Sequence, residues 1–260
     1  MSTAMALEFR NVSKQFMLDP DRPLTAVQGI DFSVSDGEFV AVVGPSGCGK
    51  STILSMTAGL YQPSSGEVRV SGRPVVKPNP QVGFMLQKDL LLPWRSILKN
   101  VEFGLEARGV GRAERRERAM AELARCHLSG FENHYPYQLS GGMRQRAALA
   151  RTLAIDPDII LLDEPFSALD AQTKLLIQNS FAETIQEAGI TTLLITHDLS
   201  EAVIMSDRVL VLSERPGTVI REIPIDLPDR AHPLRRRQMP EVHAHAAEIF
   251  DLLKLVERAA

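Results

Sequence analysis

Short, uninterrupted apolar runs alternate with longer amphipathic stretches along this chain. Glu38–Val43 is one such run and reads as a buried strand; Ile159–Leu162, Thr191–Ile195 and Val209–Leu212 repeat the pattern. Lys50–Leu60 reads as a helix, with Gly59 near its end and Pro63 beyond it. Strands interleaved with helices predict a largely parallel sheet covered by helices. From Ile97 to Leu128 the pattern is helical and highly charged, through Arg112, Glu114, Arg115, Arg116, Glu117 and Arg118. Interleaved signs predict a solvated helix face with pairs such as Glu114 with Arg118. After Pro216 the chain is punctuated by prolines, and Val242–Val256 reads as a last helix.

Composition narrows the picture. The 260 residues carry 29 Lys+Arg against 32 Asp+Glu, a net charge of −3, and 44% are hydrophobic. A core of that size excludes a disordered chain or a disulfide-stapled miniprotein. The length allows one large α/β domain, with or without an inserted subdomain. A pI near 6.1 gives no global basic field, so no nucleic-acid partner is expected. No apolar run approaches the ~18–20 residues that cross a bilayer, and Met1–Arg10 has no secretory pattern. Any membrane role is therefore expected to come through a partner. Cys48 and Cys126 are expected to be free thiols in a reducing cytoplasm. The clustered Arg235, Arg236 and Arg237 are expected to be solvated.

Gly44-Pro45-Ser46-Gly47-Cys48-Gly49-Lys50-Ser51 fits GxxxxGK[ST] and lies between a predicted strand and a predicted helix. Glycines let the backbone wrap closely, so that successive N–H groups form an anion nest. The helix after it, from Lys50 through Ser51 and Thr52, aims its dipole at the same phosphates. Lys50 is placed to reach the β and γ phosphates, and the Ser51 hydroxyl to ligate magnesium. Cys48 reads as a small residue in a tight loop. Downstream, Ile159–Leu162 runs into Asp163 and Glu164. In a sheet that already holds a phosphate loop, Asp163 suits the magnesium shell and Glu164 suits the general base for an attacking water. His197, after the next apolar strand, suits a γ-phosphate contact.

Leu139-Ser140-Gly141-Gly142-Met143-Arg144-Gln145-Arg146 precedes a helix predicted at Ala147–Leu153. Small residues at a helix start make a second anion site, here without a second lysine. Such a site makes sense if it completes another molecule's nucleotide pocket. At this segment the sequence resembles the ATP-binding cassette (ABC) family, whose signature reads LSGGQ. Met143 stands where many members have glutamine, so a side-chain amide is lost while Ser140, Gly141 and Gly142 are intact. The Met-Arg-Gln-Arg continuation, Leu91-Leu92-Pro93-Trp94 and Leu212–Gly217 are similar to the nitrate, sulfonate and taurine importer branch.

The resemblance implies an α/β fold: a RecA-like P-loop NTPase core, an N-terminal antiparallel β subdomain and an inserted helical subdomain. The core and β subdomain would span about 5–87 and 157–215, the helical subdomain about 88–156, and a tail 216–260. It also implies that Gln87 links the magnesium site to a transmembrane partner and that Ser167-Ala168-Leu169-Asp170 crosses a dimer interface. Phe16 falls where the family stacks an aromatic, usually tyrosine, on adenine. ATP and Mg2+ would be the ligands. Two copies would pack head to tail, each ATP lying between one phosphate loop and the other copy's Ser140–Gly142. The implied activity is ATP hydrolysis coupled to import of a small solute such as nitrate, a sulfonate or taurine. Integral-membrane permease subunits and a separate solute-binding protein would complete the assembly at the cytoplasmic face of the inner membrane. Leu90–Trp94 would meet a cytoplasmic helix of the permease. A non-transport ABC ATPase acting on nucleic acid or another soluble partner is the alternative.

Overall fold

The computed structural model describes residues 5–19 and 22–259. Two sheets organise them. The first is antiparallel, in the order β2-β1-β4-β5, from β1 (Met5–Asp19), β2 (Arg22–Ser35), β4 (Ser65–Val70) and β5 (Arg73–Pro74). The second has the order β10-β9-β3-β8-β7-β6. It contains β3 (Phe39–Val43), β6 (Val82–Met85), β7 (Ile159–Asp163), β8 (Thr191–Ile195), β9 (Arg208–Leu212) and β10 (Val219–Pro224). The strands from β9 to β6 pair in parallel, and β10 closes one edge antiparallel to β9.

The apolar runs are continuous because the parallel sheet is covered on both faces. Val40, Val42, Leu161, Leu193 and Leu210 face the antiparallel sheet and α1 (Lys50–Thr57), where they join Leu7, Phe9, Ile30 and Phe32 in one core. Phe9 and Phe32 sit opposite each other in the β1–β2 ladder, and their rings stack at 4.8 Å. Phe39, Ala41, Val43, Ile160, Leu162 and Leu194 point the other way into a second core. That core is roofed by the helices inserted between β6 and β7: α2 (Ile97–Val101), α3 (Phe103–Ala107), α4 (Arg112–Arg125) and α5 (Gly141–Leu153). The remaining helices are α6 (Ala171–Ala188), α7 (Leu199–Met205), α8 (Pro233–Arg236) and α9 (Pro240–Ala259).

The charged stretch from Ile97 therefore breaks into three helices. In α4 only Ala119 and Leu123 are buried, and Glu114 pairs with Arg118 at 2.7 Å. The helix predicted at Ala147 begins six residues earlier, at Gly141. The Ser140 side chain caps it, accepting the Met143 N–H at 3.3 Å. Glycine is a poor helix former, and here packing overrides the propensity. A Cβ on Gly142 would lie 3.0 Å from both Ile177 Cδ1 and Thr173 Cγ2, so α5 and α6 touch through this residue.

In the arginine cluster of the tail, Arg235 and Arg237 are exposed as expected, and Arg236 corrects the solvated reading. Arg236 is only 1% exposed. Its guanidinium donates to the carbonyls of Ile204, Ser206, Leu227 and Pro228, filling acceptors left at the end of α7 and in the segment before α8. Arg235 is exposed and pairs with Asp229 at 3.5 Å. Replacing Arg236 with methionine is expected to lower stability by about 3 kcal/mol, because buried carbonyls lose charged donors. Denaturant unfolding measures it, and a loss below about 1 kcal/mol would show that water replaces the guanidinium.

Candidate functional site

Strand order assembles the site. In the parallel sheet β3, β8, β7 and β6 are neighbours, and Val42 pairs with Ile195, Asp163 with Ile195 and Met85 with Leu162. The loops leaving these strands therefore emerge side by side at the carboxyl edge, where open α/β sheets bind ligands. They carry Gly44–Ser51, His197, Asp163 with Glu164, and Gln87, residues scattered over more than half the chain.

Between the loop after β3 and the hairpin of the antiparallel sheet lies a cleft of about 360 Å³. Ser46, Gly47, Gly49, Lys50, Ser51 and Thr52 line it, with Phe16 and Glu164. Gly49 is left-handed at φ 102°, and a Cβ there would come within 2.4 Å of Val27 Cγ1 and 2.9 Å of the Ala26 oxygen. Only glycine fits that position. No side chain caps the start of α1, so its first N–H donors are left for an anion in the cleft. Lys50 Nζ donates to the Gly44 and Pro45 carbonyls, each at 2.8 Å, and arches over the loop. Cys48 is buried beneath it with its Sγ 3.9 Å from Lys50 Nζ; burial pushes its thiol pKa up, and Lys50 opposes the shift. A larger depression of about 750 Å³ lies at the opposite edge of the sheet, among Asp36, Asp158 and Gly189, and contains no motif residue.

Glu164 and His197 meet: Oε2 of the carboxylate lies 3.1 Å from Nδ1 of the imidazole. Glu164 holds φ 49°, a backbone region that costs a non-glycine residue about 1 kcal/mol or more. Three hydrogen bonds fix it there. Its N–H donates to the Ile195 carbonyl at 3.0 Å, and its own carbonyl accepts from the Ser167 N–H at 3.2 Å and the Ser167 hydroxyl at 2.9 Å. Asp163 is half-buried, and burial pushes its carboxyl pKa up, with a hydrogen bond from Ser51 partly offsetting the shift. A carboxylate beside a hydroxyl is a hard oxygen set, and Mg2+ needs only one or two carboxylates when a polyphosphate supplies the rest. These residues fit the ion.

Gln87 Nε2 donates to Ser167 Oγ at 3.1 Å, which ties the loop after β6 to the turn that carries Glu164. From the other side α5 grips the same loop. Arg144 Nε donates to Asp89 Oδ2 at 3.1 Å, and Arg151 donates to the carbonyls of Asp89 and Leu90 at 2.6 and 2.7 Å. The loop continues into an open apolar surface, with Trp94 73% exposed and Leu90 also outside the core. Phe16 stands half-buried at the cleft mouth, edge-on to Tyr61 at 5.2 Å with Lys14 Nζ 5.1 Å from its ring centre.

Ser140, Gly141 and Gly142 are not brought into the cleft. They sit at the start of α5, Ser140 exposed and Gly142 buried against α6. Sequence reasoning also passed over the pairing of Tyr61 with Phe16 and the bond from Gln87 to Ser167. Both join residues 45 or more positions apart, with no motif linking them.

Comparison with known proteins identifies the family. The ABC transporter family model matches residues 27–167. An uncharacterized ABC transporter ATP-binding protein of Methanocaldococcus jannaschii is 47% identical over 95% of this chain and 91% of its own length. The taurine import ATP-binding protein TauB of Yersinia pestis is 44% identical, covering 79% of this chain and 80% of TauB. Among solved structures, a dimeric post-hydrolysis state of the ATP-binding cassette MJ0796 bound to ADP and Pi superposes with a TM-score of 0.73. It is 34% identical, covering 85% of this chain and 99% of MJ0796. This chain belongs to the ABC transporter family, as one of its ATP-binding, ATP-hydrolysing cassettes.

Proposed function

We propose that this cassette works as a head-to-tail pair and drives import of a small solute, of the taurine, sulfonate or nitrate class, through a membrane permease. One observation carries the reading. The chain holds two helix starts of the small-residue kind that suits anions, and only the first lines its cleft, while Ser140 at the second is exposed. A second copy, related by a two-fold axis, would set its Ser140–Gly142 against the open side of the cleft and make two identical composite sites. The dimeric MJ0796 cassette and the taurine import relatives support the assembly and the transport role.

In this reading ATP enters the cleft with its adenine on Phe16 and its phosphates on Gly44–Thr52. Lys50 turns from its loop carbonyls to the β and γ phosphates. Ser51 and Asp163, with Gln87 beside them, would hold Mg2+, which would supply neutralising charge for the phosphates. Glu164 takes the proton of the attacking water, and His197, hydrogen-bonded to it, stands where the γ-phosphate lies. ATP favours the closed pair because only that state offers both sets of donors. Driving closure from 1:99 to 99:1 takes about 5.5 kcal/mol of preference, within reach of two nucleotides that each gain several charge-assisted bonds. Hydrolysis removes the bridging phosphate and the copies part.

Among the described residues no helix is long and apolar enough to cross a membrane. The work would pass to permease subunits at the cytoplasmic face through Leu90–Trp94, with α5 and Gln87 reporting the contact to both anion sites. A separate binding protein would choose the solute.

Ser140→Arg tests the composite site. The isolated chain is expected to bind ATP as the parent does, while turnover falls more than tenfold. The lost cap removes only about 1 kcal/mol from α5. Nucleotide binding by fluorescence and phosphate release read the two quantities; loss of binding in the isolated chain would refute a pocket shared between copies. Co-purification with an integral-membrane protein tests the transport role, and persistent association with nucleic acid instead would overturn it.

A further inference from the structure

Beneath the turn that presents His197 lies a charged cluster the motifs do not include. Lys174, one turn into α6, donates from Nζ to Asp198 Oδ2 at 2.9 Å and sits 2.6 Å from Glu201 Oε2. Glu201 is almost fully buried, and Gln178 Nε2 donates to the same carboxylate oxygen at 2.9 Å. Burial works against the Lys174 charge, and the hydrogen bonds it donates to the Glu201 and Asp198 carboxylates outweigh that, so the ammonium is held above its ordinary pKa. Asp198 in turn fixes the backbone. Its carboxylate caps α7 through the Glu201 N–H at 3.0 Å, and its own N–H donates to Thr196 Oγ1 at 3.0 Å.

His197 stands between these two residues with its side chain 66% exposed. An imidazole that open is packed by little, so its position follows from the backbone of residues 196–198. Lys174 reaches that turn from α6 through the Asp198 side chain. The helix it belongs to opens at Asp170, the last residue of the Ser167–Asp170 loop, and Ser167 of that loop bonds both Gln87 and the Glu164 carbonyl. We propose that Lys174 is a positioning residue for ATP hydrolysis: through Asp198 it sets His197 against Glu164, and it makes that alignment depend on the 167–170 loop. The inference rests on the roles given above to Glu164 and His197.

Lys174→Met alone would strand the buried Glu201 carboxylate and weaken the fold whatever Lys174 does for catalysis. The informative variant is Lys174→Met with Glu201→Gln. It removes the buried Glu201 charge together with the half-buried Lys174 charge, and a glutamine at 201 can donate to Gln178 Oε1, which has no partner now. The double variant is expected to unfold near the parent temperature and to keep its KM for ATP, while kcat falls about tenfold, the scale of a small misplacement of a reacting group. Lys174→Arg keeps a cation on Asp198 and is expected to retain most of the turnover. Parent-like kcat in the double variant, or a kcat that falls only in step with melting temperature, would overturn the inference. Glu164→Gln and His197→Ala, measured alongside, separate the two levels. If both keep turnover, the roles beneath the proposal fail and it falls with them. If both lose turnover and the double variant does not, Lys174 alone has been misassigned.

Discussion

Glu164→Gln is expected to cut ATP turnover roughly 10³-fold, the scale of a positioned general base, without loss of ATP binding. Glutamine keeps the shape of the side chain and a hydrogen bond to His197, but it cannot accept a proton from water. The backbone at 164 is strained yet fixed by three hydrogen bonds that do not involve the side chain. The substitution therefore leaves the turn where it is. With hydrolysis stopped and both anion sites intact, ATP should hold two copies together. Size-exclusion chromatography with Mg-ATP is expected to show a stable dimer for this variant and a monomer without nucleotide. Phosphate release within tenfold of the parent would remove Glu164 from the role of base.

What the sequence makes legible here is local chemistry at strand ends. The phosphate loop is readable because all its requirements follow one another in a single unbroken stretch of sequence: the strand before, the glycines, the lysine and the helix after. Asp163, Glu164 and His197 are readable because a fully buried strand must end where polar residues begin, and the parallel order then carries those ends to one edge. Ser140–Gly142 is readable as an anion site, but not the true start of its helix. The six extra residues are helical through a cap and a close contact with α6, and neither shows in propensity.

Arg236 and Lys174 mark the limit more sharply. Arg236 sits in a run of three arginines whose pattern says solvent, and its burial follows from a short helix docking on the end of α7 some thirty residues upstream. Lys174 looks like any polar residue on an amphipathic helix. Its two carboxylates lie 24 and 27 positions away and converge on it only because the fold brings the first turn of α6 to the first turn of α7. A charge in a sequence announces a cost of burial, not which tertiary partner will offset it.

Lys50→Ala carries the other large effect, and its size can be argued from what the lysine touches. In this structure Nζ spends its hydrogen bonds on two carbonyls of its own loop, Gly44 and Pro45. Those carbonyls lie beside the cleft, and water can take the donor's place, so the loop and α1 should survive the change. The cost falls on the ligand. A polyphosphate in the nest loses the one lysine that lines the cleft, and a hydrogen bond to a charged group is worth about 1.5–3 kcal/mol. ATP affinity is expected to drop roughly 10²-fold, two such bonds at the lower figure, and turnover by more, because charge on the γ-phosphate grows as its bond breaks. AMP separates this from a damaged pocket. In the proposed pose its single phosphate stops short of Lys50 and its adenine rests on Phe16, so AMP binding should change little in the variant. Calorimetry with both nucleotides reads the contrast. Equal losses for AMP and ATP would mean that the loop itself had collapsed, and unchanged ATP affinity would mean that the backbone nest and the dipole of α1 hold the phosphates without the lysine.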